Sequence, residues 1–287
     1  MRRRPAPFIV GVGRSGTTLL RLMLDAHPDL AIPPETGFLL PFFASGQDRP
    51  TREEFLRQVT GFHTFADAGL SAERFGRELA RLRWFSLARG TRLFYRLYAE
   101  RHGKRRWGDK TPVYSQHLPA IRRLLPEARF IHLIRDGRDV ALSLRERWFA
   151  PSRDAADLAR HWRDQVAATR AAGSRDPHYL EIRYEDLIFT TRPTLERIAA
   201  FLDLPFRAEM ERYTETARLR LAEVQDQRRP DGSVITREQR MEQHPFVHLP
   251  PQQARVERWR REMTAAEQAS FAAEAGDLLR ELGYPSS

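Results

Sequence analysis

The sequence of 287 residues contains no cysteine, which excludes disulfides, thiolate nucleophiles and zinc–thiolate sites. It also lacks any run of about 18 apolar residues, so it offers no candidate for a transmembrane helix. The apolar run after the basic start of the chain, residues 8–10, is too short for the core of a signal peptide. From these absences we expect a cytoplasmic protein without a transmembrane segment.

Lysine is scarce as well, because 46 of the 48 basic residues are arginine and only Lys104 and Lys110 are lysine. Such a skew reflects a coding bias toward arginine, so the net charge of +10 is weak evidence for nucleic-acid binding. The sequence has no RNP-like or helix-turn-helix signature, and we expect no nucleic-acid partner. The positive balance does favour anionic ligands, and the scarcity of lysine draws attention to Lys110.

The most informative segment is the glycine-rich turn at residues 11–18, Gly-Val-Gly-Arg-Ser-Gly-Thr-Thr. It follows an apolar run and precedes a helical pattern, which is the layout of a phosphate-binding loop. Backbone N–H groups and the helix dipole favour an anion there, and the side chains add donors: Arg14, Ser15, Thr17 and Thr18. Because the P-loop lysine, which contacts the outer phosphates of a nucleoside triphosphate, is replaced by Thr17, the anion need not be ATP. A glycine-rich turn without a ligand is the alternative interpretation.

Alternating strand and helix patterns predict an α/β fold, a doubly wound parallel sheet with helices on both faces. The predicted strands are 8–12, 106–108, 130–134 and 179–183, and the predicted helices are 17–26, 115–125, 140–148, 154–172 and 193–202. Ligands of such sheets bind at the carboxyl ends of the strands. The loops after residues 12, 108 and 134 should therefore meet at one edge.

Two segments read as additions to this core. Residues 44–102 predict a helical insertion of two or three amphipathic helices, the first with a capping box at residues 51–54. Residues 222–253 are polar and carry the turn signal Pro-Asp-Gly at 230–232. This second segment is either a mobile lid or disordered.

A second anion site is predicted after strand 130–134. Arg135 follows the strand directly, and Ser143 lies about two helical turns into the next helix, within reach of the same anion. The arginine fork matches two phosphate oxygens at once, while Asp136 or Asp139 either caps the helix or orients an arginine. The segment alone is also compatible with a surface turn and a salt bridge. Two anion sites in one sheet predict a ligand with two separated phosphates.

On these motifs the sequence resembles the sulfotransferases that use 3′-phosphoadenosine 5′-phosphosulfate (PAPS), and among them the tyrosylprotein branch and bacterial sulfotransferases. Residues 13–18 resemble the family's 5′-phosphosulfate loop, and Arg135 with Ser143 resembles its 3′-phosphate motif. Further matching motifs lie at 14–19, 23–28, 35–36, 109–112, 184–187 and 258–260. The resemblance covers roughly residues 7–40, 107–148, 179–205 and 255–285 of what we expect to be a single domain, 1–287; residues 44–102 and 206–253 match nothing.

The resemblance implies an enzyme of type EC 2.8.2 that moves a sulfuryl group to a hydroxyl by in-line displacement, with adenosine 3′,5′-bisphosphate (PAP) as product and no metal. It assigns donor binding to the loop, Arg14, Ser15, Gly16, Thr17 and Thr18, and to Arg135 and Ser143. Arg14 and Lys110 would contact the bridging oxygen and the leaving phosphate. Tyr184 either lines the adenine pocket or packs against the sheet edge.

The general base of the tyrosylprotein branch is a glutamate in a Glu-Thr sequence, which corresponds to Glu35. The histidine that follows the lysine motif in the cytosolic branch is absent, because Pro112 comes directly after Lys110-Thr111. Residues 27–34 are long enough to bring Glu35 back to the loop, and its carboxylate would need partial burial to raise its pKa. Two alternatives remain: Glu35 only begins a helix, or a histidine is the base.

Two other functions fit parts of the sequence. A P-loop kinase of a small metabolite or nucleoside needs a magnesium-binding carboxylate, for which there is no clear candidate. A non-catalytic module that binds adenosine phosphates would make Lys110 and Glu35 dispensable. The acceptor hydroxyl is open (small molecule, glycan, lipid or peptide tyrosine), as is a homodimer. Apolar residues at 38–43, 84–85 and 94–95 indicate either an apolar acceptor or, as we favour, ordinary helix packing.

Overall fold

The computed structural model describes residues 4–228 and 231–285. The strands, in chain order, are β1 (Ala6–Val10), β2 (Leu30–Ala31), β3 (Arg106–Trp107), β4 (Asp109–Lys110), β5 (Ala128–Ile134), β6 (Tyr179–Arg183), β7 (Gln227–Arg228) and β8 (Val234–Ile235). Four of them form the central sheet in the order β4–β1–β5–β6, and every neighbouring pair is parallel. β2 pairs with β3, and β7 with β8 as an antiparallel hairpin. The predicted α/β fold with a parallel sheet is confirmed.

Helices cover both faces of this sheet. In chain order they are α1 (Thr17–Asp25), α2 (Leu40–Ser45), α3 (Arg52–Thr60), α4 (Ala72–Ala80), α5 (Leu87–Arg101), α6 (Leu118–Leu124), α7 (Gly137–Arg145), α8 (Ala155–Gly173), α9 (Tyr184–Phe189), α10 (Thr191–Phe201), α11 (Thr214–Leu221), α12 (Arg237–Met241), α13 (Trp259–Glu262) and α14 (Ala265–Glu281). Phe8 and Val10 of β1 belong to the core that contains α3–α5, whereas Ile9 belongs to the core of α1 and α10. A central parallel strand is buried on both faces in this way. Within the described residues, no helix is long and apolar enough to cross a membrane.

The predicted strand 106–108 is wrong in one respect, because the chain changes sheets at Gly108. β3 pairs with β2 outside the central sheet, and β4 then pairs with β1. A Cβ atom at Gly108 would lie 2.6 Å from the ring of Pro7 and 2.8 Å from its carbonyl oxygen. Only glycine allows this close approach, and the crossing adds Lys110 to the edge of the central sheet.

Two predicted helices begin elsewhere. The helix expected at 115–125 is α6, preceded by a 3₁₀ segment, Pro112–His117. Pro119 lies in the first turn of α6, and because proline has no N–H, the helix cannot run through this position from residue 115. The helix expected at 140–148 begins earlier, as α7, because the Asp136 side chain accepts a hydrogen bond from the Arg138 amide (2.9 Å) and caps it.

The insertion contains α3–α5, and the capping box at residues 51–54 is present. Its aromatic residues pack against those at 38–43: Phe94 lies 4.8 Å from Phe38 and Phe55 lies 5.8 Å from Phe42, ring centre to ring centre. The phenylalanines of these two pairs are buried, whereas Trp84 is exposed. Helix packing therefore accounts for most of this apolar content.

Residues 222–253, which we call the cover segment, contain the β7–β8 hairpin and α12. Pro230 of the predicted turn lies outside the described residues. Arg240 of α12 donates two hydrogen bonds to the buried carboxylate of Asp67 in the insertion, at 2.9 and 2.6 Å. The two segments that the motifs left uninterpreted are thus joined by a bidentate ion pair.

Candidate active site

The carboxyl ends of β1, β4 and β5 meet at one edge of the sheet, as predicted, and a cavity of about 530 Å³ lies there. Its walls include seven of the predicted donor-site residues, Arg14, Gly16, Thr17, Thr18, Arg135, Ser143 and Tyr184, and also Glu35. Ser15 and Lys110 are buried behind these walls. The cover segment supplies the opposite wall, including Gln243, His244 and Phe246.

The glycine-rich turn is held in a conformation that favours glycine at two positions. Gly16 has φ +97°, and a Cβ atom there would lie 2.5 Å from the Tyr184 ring. Arg14 has φ +74°, which is rare for a residue with a side chain. The Tyr184 ring thus packs directly on the turn; it is buried at the sheet edge and lines the cavity, while its contact with adenine stays a prediction.

Arg14 connects the two predicted anion sites. Its Nε donates a hydrogen bond to Ser143 Oγ at 3.2 Å, and its carbonyl oxygen accepts one from Arg135 at 3.3 Å. Burial lowers the pKa of Arg14 to about 10, together with three neighbouring guanidinium groups, those of Arg147, Arg135 and Arg255. These guanidinium groups repel one another, and a ligand with two anionic groups would neutralise them.

Arg135 is fixed from several sides. It pairs with Asp139 at 3.4 Å, donates to the Arg255 carbonyl at 2.5 Å, and lies 4.6 Å from the centre of the Tyr184 ring. Asp139 also accepts a hydrogen bond from the Trp259 amide at 3.0 Å. The open alternative is thereby resolved: Asp136 caps the helix and Asp139 orients the arginine.

Several buried polar atoms at this edge are without a hydrogen-bond partner within the described residues, among them Ser15 Oγ and Arg135 Nε. Orphaned buried donors are rare in folded proteins and often mark a site for a ligand or water. Ser15 belongs to the turn and Arg135 contacts it through the Arg14 carbonyl oxygen, which suits a molecule with oxygen-rich anionic groups.

Lys110 and Glu35 form the second feature of the site. Lys110 Nζ donates to Glu35 Oε1 at 2.7 Å and to Thr18 Oγ1 at 3.3 Å. The Lys110 side chain is 4% exposed and that of Glu35 is 49% exposed. Burial lowers the pKa of Lys110, and the Glu35 charge is the main effect that raises it. Glu35 begins no helix; residues 27–34 return it to the turn, although it is less buried than we expected.

Three histidines bear on the choice of the base: one lies in the core and two line the cavity. His132 is buried in β5, with Nδ1 2.6 Å from the Tyr179 hydroxyl, and burial lowers its pKa to about 3. His161 and His244 line the cavity. Burial lowers the pKa of His244 well below its usual value, followed by the positive charges of Lys110 and Arg14. Because the charges of Lys110 and Arg14 act on His244 but not on His161, His244 is the histidine that competes with Glu35 as a base.

Sequence reasoning missed Arg147, Arg255 and His244. Arg147 follows α7 and Arg255 precedes the motif at 258–260, so both lie at the ends of matched blocks but in none of the motifs. His244 lies in the cover segment, in which no motif matches. Arg258 itself pairs with Glu146 and Glu262 instead of lining the cavity. The arginine bias of the chain hid the two arginines among 46.

Comparison with known proteins gives a consistent result. Residues 5–208 match the sequence model described as the sulfotransferase family. The chain is 30% identical over 210 residues to a candidate protein-tyrosine sulfotransferase of Caenorhabditis briggsae, covering 71% of this chain and 67% of the relative. In fold it is similar to the sulfotransferase domain from the curacin biosynthetic pathway (TM-score 0.64, 20% identity, 99% of each chain). It is also similar to mouse sulfotransferase SULT7A1 complexed with PAP (TM-score 0.54, 17% identity, 98% and 88% of the chains).

Proposed function

Because this chain belongs to the sulfotransferase family, an enzyme family of sulfuryl transfer, we propose that it moves a sulfuryl group from PAPS to a hydroxyl and releases PAP. One observation carries the proposal: two anion sites, linked by the hydrogen bond from Arg14 to Ser143, share a cavity with the Glu35 carboxylate that pairs with Lys110. A nucleotide with phosphates at both its 5′ and 3′ ends matches this arrangement. That no metal takes part, and that the protein is cytoplasmic, are predictions from the sequence.

Two groups of residues in the cavity would bind the two phosphate groups of the donor. The turn at residues 13–18 and the start of α1 would hold the 5′-phosphosulfate, through backbone N–H groups and the helix dipole. Arg135, Ser143 and Arg255 would hold the 3′-phosphate, because a guanidinium fork matches phosphate oxygens. Tyr184 would form a wall beside the nucleoside.

Three side chains would carry the transfer. Glu35 accepts the proton of the acceptor hydroxyl while the acceptor oxygen bonds to sulfur and the bond between sulfur and the bridging oxygen breaks. Lys110 and Arg14 stabilise the negative charge that develops on the leaving phosphate. As Glu35 is neutralised, its hold on Lys110 weakens, and the ammonium group is released toward the leaving oxygen. Positioning and charge stabilisation are the main contributions of the protein in such transfers.

The rim of the cavity favours an acceptor hydroxyl on an apolar body. Five large apolar side chains that are more than a third exposed line it: Val113, Trp148, Phe149, Phe246 and Leu249. Exposed apolar residues gathered at one site often mark a binding surface. A tyrosine ring, as in the substrates named for the tyrosine sulfotransferase relative, or an aliphatic alcohol would suit this rim better than the polar surface of a glycan.

Arg135→Ala is expected to weaken PAP binding about 10- to 100-fold, since a charge-assisted hydrogen bond is worth roughly 1.5–3 kcal/mol. Isothermal titration with PAP and with adenosine 5′-monophosphate measures this. The monophosphate lacks the 3′-phosphate and should bind the variant and the wild type equally. Arg145→Ala is the control. Arg145 lies at the end of α7 and pairs with Glu267 at 2.7 Å, and its removal should change neither affinity. Equal losses for both nucleotides would contradict the 3′-phosphate assignment.

The transfer itself is tested with ³⁵S-labelled PAPS and four acceptors: 4-ethylphenol, a tyrosine peptide, decanol and a neutral oligosaccharide. We expect the label to move to at least one of these hydroxyls, with PAP formed in equal amount. We also expect more transfer to 4-ethylphenol, decanol or the tyrosine peptide than to the oligosaccharide. Binding of PAP without transfer to any acceptor class would favour the non-catalytic module.

A further inference from the structure

The short segment that carries Glu35 is attached to β4 by three side-chain contacts. Lys110 donates to Glu35 at 2.7 Å, Thr36 Oγ1 donates to Asp109 Oδ2 at 2.7 Å, and the Thr36 amide donates to Thr111 Oγ1 at 3.0 Å. Consecutive residues of one segment thus meet consecutive residues of the other. The position of Glu35 relative to Lys110 depends on the contacts of Thr36.

Asp109 is the unusual member of this group. Its carboxylate is fully buried, and the same oxygen that binds Thr36 accepts a second hydrogen bond from the Tyr95 hydroxyl at 3.0 Å. Its other oxygen, Oδ1, has no hydrogen-bond partner within residues 4–228 and 231–285. Burial raises the pKa of Asp109 to about 6, so the group is still mainly ionised at neutral pH.

A buried charge of this kind is costly unless it is paired. Two hydroxyl donors could be satisfied as well by a neutral amide at this position, which would avoid the cost. What a carboxylate adds is charge-assisted hydrogen bonds to Thr36 and Tyr95, which hold these hydroxyls more strongly than the bonds of a neutral amide would.

The charged and titratable groups that face Lys110 come from four parts of the fold: Glu35 from its loop, Asp109 from the strand, Arg21 from α1 and His244 from the cover segment. Tyr95 and Tyr114 face Asp109. Burial and Arg21 lower the pKa of Lys110, whereas Glu35 and Asp109 raise it. When Glu35 accepts a proton, its charge is lost, and of these two carboxylates only Asp109 still favours the ammonium form.

We propose that Asp109 is a positioning residue for the transfer: its carboxylate holds Thr36, and with it Glu35, against Lys110. This inference rests on the proposed function, in which Glu35 is the base and Lys110 stabilises the leaving phosphate. It adds α5 to the active site, because Tyr95 of that helix binds the same carboxylate.

Asp109→Asn separates the charge from the hydrogen bonds, and Thr36→Val removes a donor while leaving the charge. We expect Asp109→Asn to lower kcat for 4-ethylphenol with PAPS about tenfold or more, with PAP affinity within twofold of the wild type. Because loss of the negative charge lowers the pKa of Lys110, the alkaline fall in kcat should move to lower pH. Thr36→Val should lower kcat without moving that fall.

The outcomes are distinct. An Asp109→Asn variant with wild-type kcat and an unmoved alkaline fall overturns the inference, as does a loss of kcat that is matched by an equal loss of PAP binding. If Asp109→Asn does not fold, Thr36→Val decides: wild-type kcat overturns the inference, and a reduced kcat with intact PAP binding supports it. The wild type and Glu35→Gln are measured alongside, since absent wild-type turnover contradicts the proposed function, and an active Glu35→Gln contradicts only the base.

Discussion

Lys110→Met is expected to lower turnover about 10²- to 10³-fold and to leave PAP affinity within a few fold. The reason is that Lys110 acts on charge that develops during transfer, and removing one such donor from a water-excluded site costs roughly 3–4 kcal/mol of transition-state stabilisation. Methionine fills most of the buried volume, and Glu35, which is half-exposed, can be solvated after losing its partner. Steady-state kinetics with PAPS and 4-ethylphenol, together with PAP titration, measure the two effects separately.

The chain offers a matched control, because it has only one other lysine. Lys104 is also largely buried and also pairs with a carboxylate, Asp25, at 3.7 Å. It donates to the carbonyl oxygens of Asp25 and Leu30, whereas Lys110 donates to two residues of the cavity wall, Glu35 and Thr18. Lys104→Met should lower the melting temperature without lowering kcat, since Asp25 keeps its ion pair with Arg220 (2.6 Å). Equal losses of kcat in both lysine variants would contradict the assignment of Lys110.

Glu35→Gln has the second large expected effect. General base catalysis contributes about 10²- to 10⁴-fold, and glutamine has nearly the same shape as glutamate but accepts no proton at neutral pH. Turnover of 4-ethylphenol should fall by that factor while PAP binds as in the wild type. Glu211→Gln, which removes a carboxylate paired with Arg192 at 3.0 Å away from the cavity walls, should leave kcat unchanged.

The competing base is His244, and a second variant separates the two. His244→Asn should retain turnover within a few fold if Glu35 takes the proton. Wild-type kcat in Glu35→Gln, with a large loss in His244→Asn, would transfer the role to the histidine. This outcome would leave the donor site unaffected, because PAP affinity depends on Arg135 and the turn.

Much of the site follows from local sequence. A strand, a glycine-rich turn and a helix predict the anion site at residues 13–18 from backbone geometry alone. Arg135 directly follows a buried strand, and parallel strands bring their carboxyl ends to the same edge. The proximity of Glu35 and Lys110 is different: chain length allowed it, but only the resemblance to the family predicted it.

The parts that sequence could not predict depend on long-range packing. Arg240 and Asp67 are 173 residues apart, and no periodicity or turn signal in either segment indicates that they meet. The change of sheets at Gly108 depends on how closely Pro7 approaches. The role of the Asp109 carboxylate can be inferred only once Thr36 and Lys110 are seen beside it. Such contacts are set by the assembled core rather than by any one segment.

The central claim, a nucleotide site built for two separated phosphates, is tested most directly by thermal unfolding with PAP and with ATP plus magnesium at equal concentrations. A ligand present at about 100 times its dissociation constant adds roughly 2.7 kcal/mol to the free energy of unfolding, which raises the midpoint by several degrees. We predict this rise with PAP alone. A rise with ATP and magnesium, and none with PAP, would contradict the sulfotransferase assignment and favour a kinase.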